Sequence, residues 1–163
     1  LGHKTMDTKT LAERAGQLLL QRGLTLGVAE SCTGGLLAAY ITAVAGSSAY
    51  FLGGIVAYSN AGKHRLLGVS LRTLKSQGAV SAETVQEMAR GARERLGVDI
   101  AVAITGIAGP TGALPGKPVG LTYLGLAGPD SDLVREYLWQ GDRRANRENS
   151  ARAALELVVN YLE

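Results

Sequence analysis

Leu24-Thr25-Leu26-Gly27-Val28-Ala29 runs directly into Glu30-Ser31-Cys32-Thr33-Gly34-Gly35, and then into Leu36-Leu37-Ala38-Ala39-Tyr40-Ile41. The first six residues form a short apolar run of the kind found in a buried strand. The next six are small and polar, and the last six are apolar enough to start a helix. A strand that passes through a tight small-residue turn into a helix is the repeating unit of an α/β protein. Upstream, Leu11 to Arg22 reads as a helix, with Leu11, Ala15, Leu18 and Leu19 on one face and Gly23 as its stop. Downstream, Gly46-Ser47-Ser48 is a turn, Gly54 to Tyr58 a second strand, and Asn60 to Leu67 a short helix closed by Gly68. Ser81 caps a helix over Ala82 to Leu96, whose apolar face carries Val85, Met88, Ala89, Ala92 and Leu96. Asp99 to Thr105 is apolar nearly throughout, as a central strand covered on both faces should be. Gly106 to Pro118 is too rich in Gly and Pro for regular structure. Gly120 to Ala127 and Leu133 to Trp139 flank Gly128-Pro129-Asp130 and read as a hairpin, and Asp142 caps a last helix over Arg143 to Leu162. The order implies a three-layer α/β/α sandwich around a mostly parallel, mixed sheet.

The 163 residues suit one domain, expected over residues 10–163 after a flexible segment at 1–9. A chain of this length buries roughly two thirds of its unfolded surface and needs no staple. The opening residue, Leu1, is compatible with a piece of a longer protein. Apolar residues make up 46% and charged residues 19%, the balance of a soluble globular protein rather than a disordered one. The 17 Lys+Arg exceed the 14 Asp+Glu by only three, without a basic stripe, so direct nucleic-acid binding is not expected. One cysteine excludes an internal disulfide, and one cysteine with two histidines argues against a His/Cys metal site. No apolar run is long enough to span a bilayer, and no secretory signal opens the chain, so a cytoplasmic location is expected.

Ligands of open α/β sheets bind beyond the carboxyl ends of the strands. Three strands here end in polar, small-residue sequences: Glu30 to Gly35, Tyr58-Ser59-Asn60-Ala61-Gly62-Lys63, and Thr105-Gly106-Ile107-Ala108-Gly109-Pro110. If the strands are parallel neighbours, these loops converge on one crevice. Ser31 and Thr33 stand between a strand and a helix start. There they either cap the helix or serve an anion or developing oxyanion, with Gly34 and Gly35 letting the backbone come close. Lys63 is either a surface lysine or, with its pKa lowered in a helix's first turn, the base for a serine. Tyr58 is either a half-buried strand tyrosine or a group that orients one of these. The loop after Thr105, ending at Lys117-Pro118, is long enough to suggest binding. Arg143 and Arg147 lie one helical turn apart and either grip a phosphate or carboxylate or form a solvated turn paired with Glu148. Cys32 is a competing nucleophile, or a buried structural thiol.

Taken together, these segments resemble the CinA C-terminal domain family, the nicotinamide mononucleotide deamidases associated with competence/damage-inducible protein CinA. The resemblance is carried by Ala29 to Gly35, Gly53 to Asn60 with Lys63, Gly78-Ala79-Val80-Ser81, Ala103 to Pro110, Lys117-Pro118-Val119-Gly120 and Gly141-Asp142-Arg143. It covers the chain from about residue 11 onward. It implies hydrolysis of the carboxamide of nicotinamide mononucleotide to nicotinic acid mononucleotide and ammonia, in pyridine nucleotide recycling. Ser31 is then the nucleophile, Lys63 its base and Tyr58 the support of the dyad. Thr33, Gly34, Gly35, Asn60, Thr105, Gly106, Gly109, Arg143 and Arg147 bind the substrate. No metal or organic cofactor is implied, and the resemblance favours a homodimer. The chain departs from the family at Gly109-Pro110-Thr111-Gly112-Ala113, where the family has Gly-Pro-Asp-Gly-Gly, and at Ala61, where an acidic residue is common. The contrasting expectation is a non-catalytic nucleotide-binding or interaction module, which would keep the anion loop but have no need of Lys63.

Overall fold

The computed structural model describes residues 6–163. Among the described residues, helix α1 (Thr8–Arg22) leads to strand β1 (Leu26–Glu30), helix α2 (Leu36–Thr42), a 3-10 turn at Ser47–Ala49 and strand β2 (Phe51–Val56). Helices α3 (Asn60–Leu67), α4 (Leu71–Gln77) and α5 (Ala82–Leu96) follow. They are succeeded by strand β3 (Ile100–Gly106), the hairpin β4 (Leu121–Ala127) and β5 (Asp132–Leu138), and helix α6 (Arg143–Leu162). The five strands form one sheet in the order β2-β1-β3-β4-β5. β1 pairs in parallel with both β2 and β3, while β4 pairs antiparallel with β3 and β5. Only β4 therefore runs against the others, and the sheet is mixed in the manner the hairpin implies. Helices α1, α2 and α6 pack on one face and α3, α4 and α5 on the other, giving the three-layer sandwich. Among the described residues no helix is long and apolar enough to cross a membrane.

The two sheet faces differ in side-chain size. Leu26, Val28, Ile100, Val102, Ile104, Leu124 and Leu126 fill the space beneath α1, α2 and α6. The opposite face carries Ala29, Ala101 and Ala103. This second face is shallow, so α5 lies close to the backbone. A Cβ on Gly27 would sit 2.7 Å from Leu96 Cδ1, and one on Gly125 would sit 2.8 Å from the Val85 carbonyl oxygen. α5 also approaches α3 closely, because a Cβ on Gly91 would overlap the carbonyl oxygen of Leu67. Backbone cannot rotate aside as a side chain can. Gly91→Ala is therefore expected to destabilise by at least about 1 kcal/mol, despite the roughly 1 kcal/mol that alanine normally gains over glycine in a helix. A denaturant midpoint at or above that of the wild type would contradict this packing.

The structure moves some boundaries and adds one element. β2 begins at Phe51 rather than Gly54, and Gly53 and Gly54 lie inside it, opposite Gly27 and Val28. Glycine weakens a strand in isolation, but here it permits the pairing: a Cβ on Gly54 would sit 2.7 Å from Val28 Cγ2. α4 was not expected. It is one short helix, capped by Ser70, with only Leu74 buried, so it has no periodic apolar face to read. At the N-terminus, the expected flexible segment over 1–9 lies outside the described residues for 1–5. Thr8 and Lys9 belong to the first turn of α1, which Asp7 caps by accepting from the Thr10 N–H.

Candidate active site

Glu30 of β1 pairs with Val56 of β2 on one side and with Ile104 of β3 on the other. That register brings the chain segments after all three strands to one edge of the sheet. From β1 the chain turns to α2 on one face, whereas from β2 it turns to α3 on the other, so a crevice opens between the departing loops. In this crevice is a pocket of about 160 Å³, whose walls include Ser31, Cys32, Tyr58, Lys63, Thr105 and Arg143. A larger hollow of about 680 Å³ lies elsewhere, between α1 and the end of α2, and is lined by Thr8, Lys9, Glu13, Tyr40 and Val44. It holds no nucleophile paired with a base, so volume alone does not locate chemistry here.

Lys63 is the anomaly of the site. It occupies the first turn of α3, which Ser59 caps by accepting from the Gly62 N–H, and its side chain is turned inward to 1% exposure. It is the largest side chain among those fully buried. Nζ lies 2.8 Å from Ser31 Oγ, 3.1 Å from the Ala57 carbonyl oxygen and 2.9 Å from the Tyr58 carbonyl oxygen. No carboxylate pairs with it among the described residues. Burial without a counter-charge disfavours the ammonium and pulls its pKa down from 10.5 to about 8. The neutral amine has two N–H groups and one lone pair. As an ammonium, Lys63 donates to the Ser31 hydroxyl oxygen and to both carbonyls; once neutral, it can keep its two N–H groups on the carbonyls and turn the lone pair to the Ser31 hydroxyl. Ser31 itself is 6% exposed. The neighbouring Cys32 thiol is pushed up to about 11 by burial, so it stays protonated at neutral pH.

The loop that carries Ser31 is held from three directions. Ser31 N–H donates to the Ile104 carbonyl, and Gly34 N–H donates back to the Ser31 carbonyl. Gly34 and Gly35 have φ values of +59° and +108°, which only glycine adopts readily. Glu30, fully buried, accepts from the N–H groups of Leu37 (2.9 Å) and Ala38 (3.0 Å) at the start of α2. This corrects one expectation. The protein's own carboxylate already occupies the helix N-terminus behind Ser31, and the Gly34 N–H is spent within the loop. The N–H groups of Cys32 and Thr33 donate to no backbone carbonyl among the described residues.

Of the other expected site residues, Tyr58, Thr105, Gly106 and Arg143 line the pocket, whereas Thr33, Gly34, Gly35, Asn60, Gly109 and Arg147 do not. The Tyr58 carbonyl accepts from Lys63, while the residue is 63% exposed and its hydroxyl accepts from Arg143 Nη2 at 3.4 Å. Thr105 donates to the Ala79 carbonyl at 2.8 Å, so only its lone pairs remain for a ligand. Arg143 donates to the Gly109 carbonyl at 2.8 Å. Glu148 pairs with Arg144, not with Arg143 or Arg147. Three wall residues were missed as such: Ala79, Val80 and Ala108. Asn146 was missed as well. Its buried amide accepts from Gly141 N–H and donates to the Ala108 carbonyl, tying α6 to the loop after β3. An asparagine one turn before Ser150 on the inward face of a helix was the available signal. Among the described residues no three His, Cys, Asp or Glu side chains gather as a metal site would need.

Fold and site define a three-layer α/β/α domain with a buried serine–lysine pair at the carboxyl edge of its parallel strands. The sequence profile of the CinA C-terminal domain matches residues 8–162, and the chain belongs to that family. It is 51% identical over 156 residues to a CinA-like protein of Citrifermentans bemidjiense, and 50% identical over 161 residues to one of Geobacter sulfurreducens. These alignments take in 96% and 99% of the chain and 38% of each relative, so the chain spans well under half the length of the curated relatives it matches. Among solved structures it resembles the competence/damage inducible protein CihA of Agrobacterium tumefaciens, with TM-score 0.94 and 39% identity, covering 100% of both chains. It also resembles a competence-damaged protein (CinA) superfamily protein of Enterobacter cloacae, with TM-score 0.95 and 32% identity, covering 100% of this chain and 96% of that one.

Proposed function

We propose that the chain is an amidohydrolase that converts nicotinamide mononucleotide to nicotinic acid mononucleotide and ammonia. One observation carries the reading: Lys63 Nζ is 2.8 Å from Ser31 Oγ, buried and without a counter-charge. A burial this costly has an evident use in base catalysis, and the pair has the spacing of a nucleophile and its base.

The Ser31 hydroxyl gives its proton to the Lys63 amine as Oγ bonds to the carboxamide carbon. The Lys63 ammonium then returns that proton to the departing nitrogen, the C–N bond breaks, and ammonia leaves an acyl-serine ester. A water molecule, deprotonated by the again neutral amine, attacks the ester carbon. Ser31 leaves with the proton, and the acid is released. The N–H groups of Cys32 and Thr33, beside Ser31 and without a backbone acceptor among the described residues, are the candidates for the oxyanion. Typical pockets for whole drug-sized ligands measure roughly 300–1,000 Å³. A pocket of about 160 Å³ is of a size for the carboxamide-bearing ring alone, which would leave ribose and phosphate at the mouth. We assign the phosphate to Arg143, which lines the pocket with Tyr58 beside it. A role in pyridine nucleotide recycling follows from this activity.

The test is to mix the purified protein with nicotinamide mononucleotide and measure ammonia and deamidated product. Stoichiometric release of both is expected. Binding without product would replace this reading with that of a nucleotide-binding module.

A further inference from the structure

The expected role of Arg147 was to hold substrate, but its hydrogen bonds run elsewhere. It rises from the second turn of α6 and donates from Nε to the Cys32 carbonyl and from Nη2 to the Thr33 carbonyl, both at 3.0 Å. It pairs with no carboxylate among the described residues. A Cβ on Gly34 would lie 3.6 Å from Nη2, so the guanidinium also rests against the glycine turn. Two donors in a fixed fork, aimed at two successive carbonyls, set the orientation of two successive peptide planes. In a trans peptide the C=O and the following N–H point in opposite directions. Drawing the Cys32 carbonyl toward α6 therefore turns the Thr33 N–H away from α6, and this N–H has no backbone acceptor among the described residues. Drawing the Thr33 carbonyl the same way aims the Gly34 N–H, which folds back on the Ser31 carbonyl.

We propose that Arg147 is a positioning residue: it clamps the loop that carries Ser31, and so fixes the nucleophile and the N–H groups beside it, without touching substrate. The inference rests on Ser31 being the nucleophile. It separates the two arginines by task, since Arg143 lines the pocket and Arg147 does not. It also accounts for how a turn with two left-handed glycines holds one conformation.

The experiment uses Arg147→Met, which keeps the apolar stem, and Arg147→Lys, which keeps one charge but not the fork. With nicotinamide mononucleotide, Arg147→Met is expected to lower kcat by tenfold or more while KM stays within threefold, and Arg147→Lys to recover part of the loss. A second readout needs no turnover. Cys32 is the chain's single cysteine and sits in the clamped loop, so thiol labelling reports the loop's opening. Labelling is expected to be at least tenfold faster in Arg147→Met, and to stay so at low denaturant concentrations where global unfolding contributes nothing. A KM raised more than tenfold with kcat and labelling unchanged would overturn the proposal and make Arg147 a substrate ligand. If the wild type does not turn over the mononucleotide, the functional reading fails, and labelling still decides the clamp: unchanged labelling in Arg147→Met overturns it.

Discussion

Lys63→Met is expected to lower ammonia release from nicotinamide mononucleotide by about 10²–10⁴-fold, the range for loss of a positioned general base. Ser31→Ala is expected to cost at least about a thousandfold, because the covalent route is closed altogether. Both variants are expected to fold. Methionine matches the lysine stem, and it removes a buried amine instead of adding one. Alanine at position 31 leaves two Lys63 contacts, to the Ala57 and Tyr58 carbonyls, in place. The double variant is expected to be little worse than the more damaged single one, since the two groups act as a unit. Steady-state assays of the three variants check this, with thermal unfolding as the control. Wild-type turnover in either single variant would remove that residue from the mechanism.

The second large effect is on pH. With Lys63 near 8, only about a tenth of the molecules hold the neutral amine at pH 7. Activity is expected to rise almost tenfold per pH unit below 8 and to level off above it. Stability should move in the same direction. Between about pH 8 and 10.5 the unfolded chain keeps the lysine proton while the folded chain has lost it, so unfolding takes up a proton and raising the pH favours the fold. The contribution is fully present above the unfolded pKa and is lost as pH falls through about 8. A displacement from 10.5 to about 8 corresponds to about 3 kcal/mol. Tyrosines such as Tyr50, raised by burial, titrate at high pH and act in the opposite sense. The comparison that isolates Lys63 is therefore wild type against Lys63→Met. The wild type is expected to gain about 3 kcal/mol relative to the variant across that window. Parallel curves would show that the amine is not depressed in the fold.

Elements with strong local signals were legible from sequence. α5 announced itself through the Ser81 cap, the Val85, Met88, Ala89 and Ala92 face and the Gly97 stop, and all of these stand in the structure. The hairpin around Gly128-Pro129-Asp130 was equally clear, because its turn and its flanking strands agree. β2 was misplaced because Gly53 and Gly54 look like a boundary, whereas their meaning comes from a neighbouring strand. α4 carried too little apolar surface to be seen.

The same division holds at the site. Ser31 and Lys63 could be singled out by residue type and by their place at strand ends, but not their distance of 2.8 Å: they are 32 positions apart, and the pairing of β1 with β2 brings them together. Nor could sequence show Lys63 turned inward, since a lysine in a first helical turn is ordinarily solvated. Ala79 and Val80 belong to a segment that carries the resemblance, but apolar residues before a helix cap have no chemistry of their own to mark them as a pocket wall. Thr105 ties Ala79 in place from a distant strand. Arg143 and Arg147 looked alike in sequence, and only their acceptors tell them apart.

The most direct measurement is an NMR titration of the lysine side chains from pH 6 to 11, with Lys63 assigned by its absence in Lys63→Met. The chain has five lysines, so the resonances are few. Lys63 is expected to titrate near 8, well below its ordinary value of 10.5. A Lys63 midpoint near 10.5 would mean the amine is charged throughout the neutral range and unable to take the serine proton, and the proposed hydrolysis would have no base.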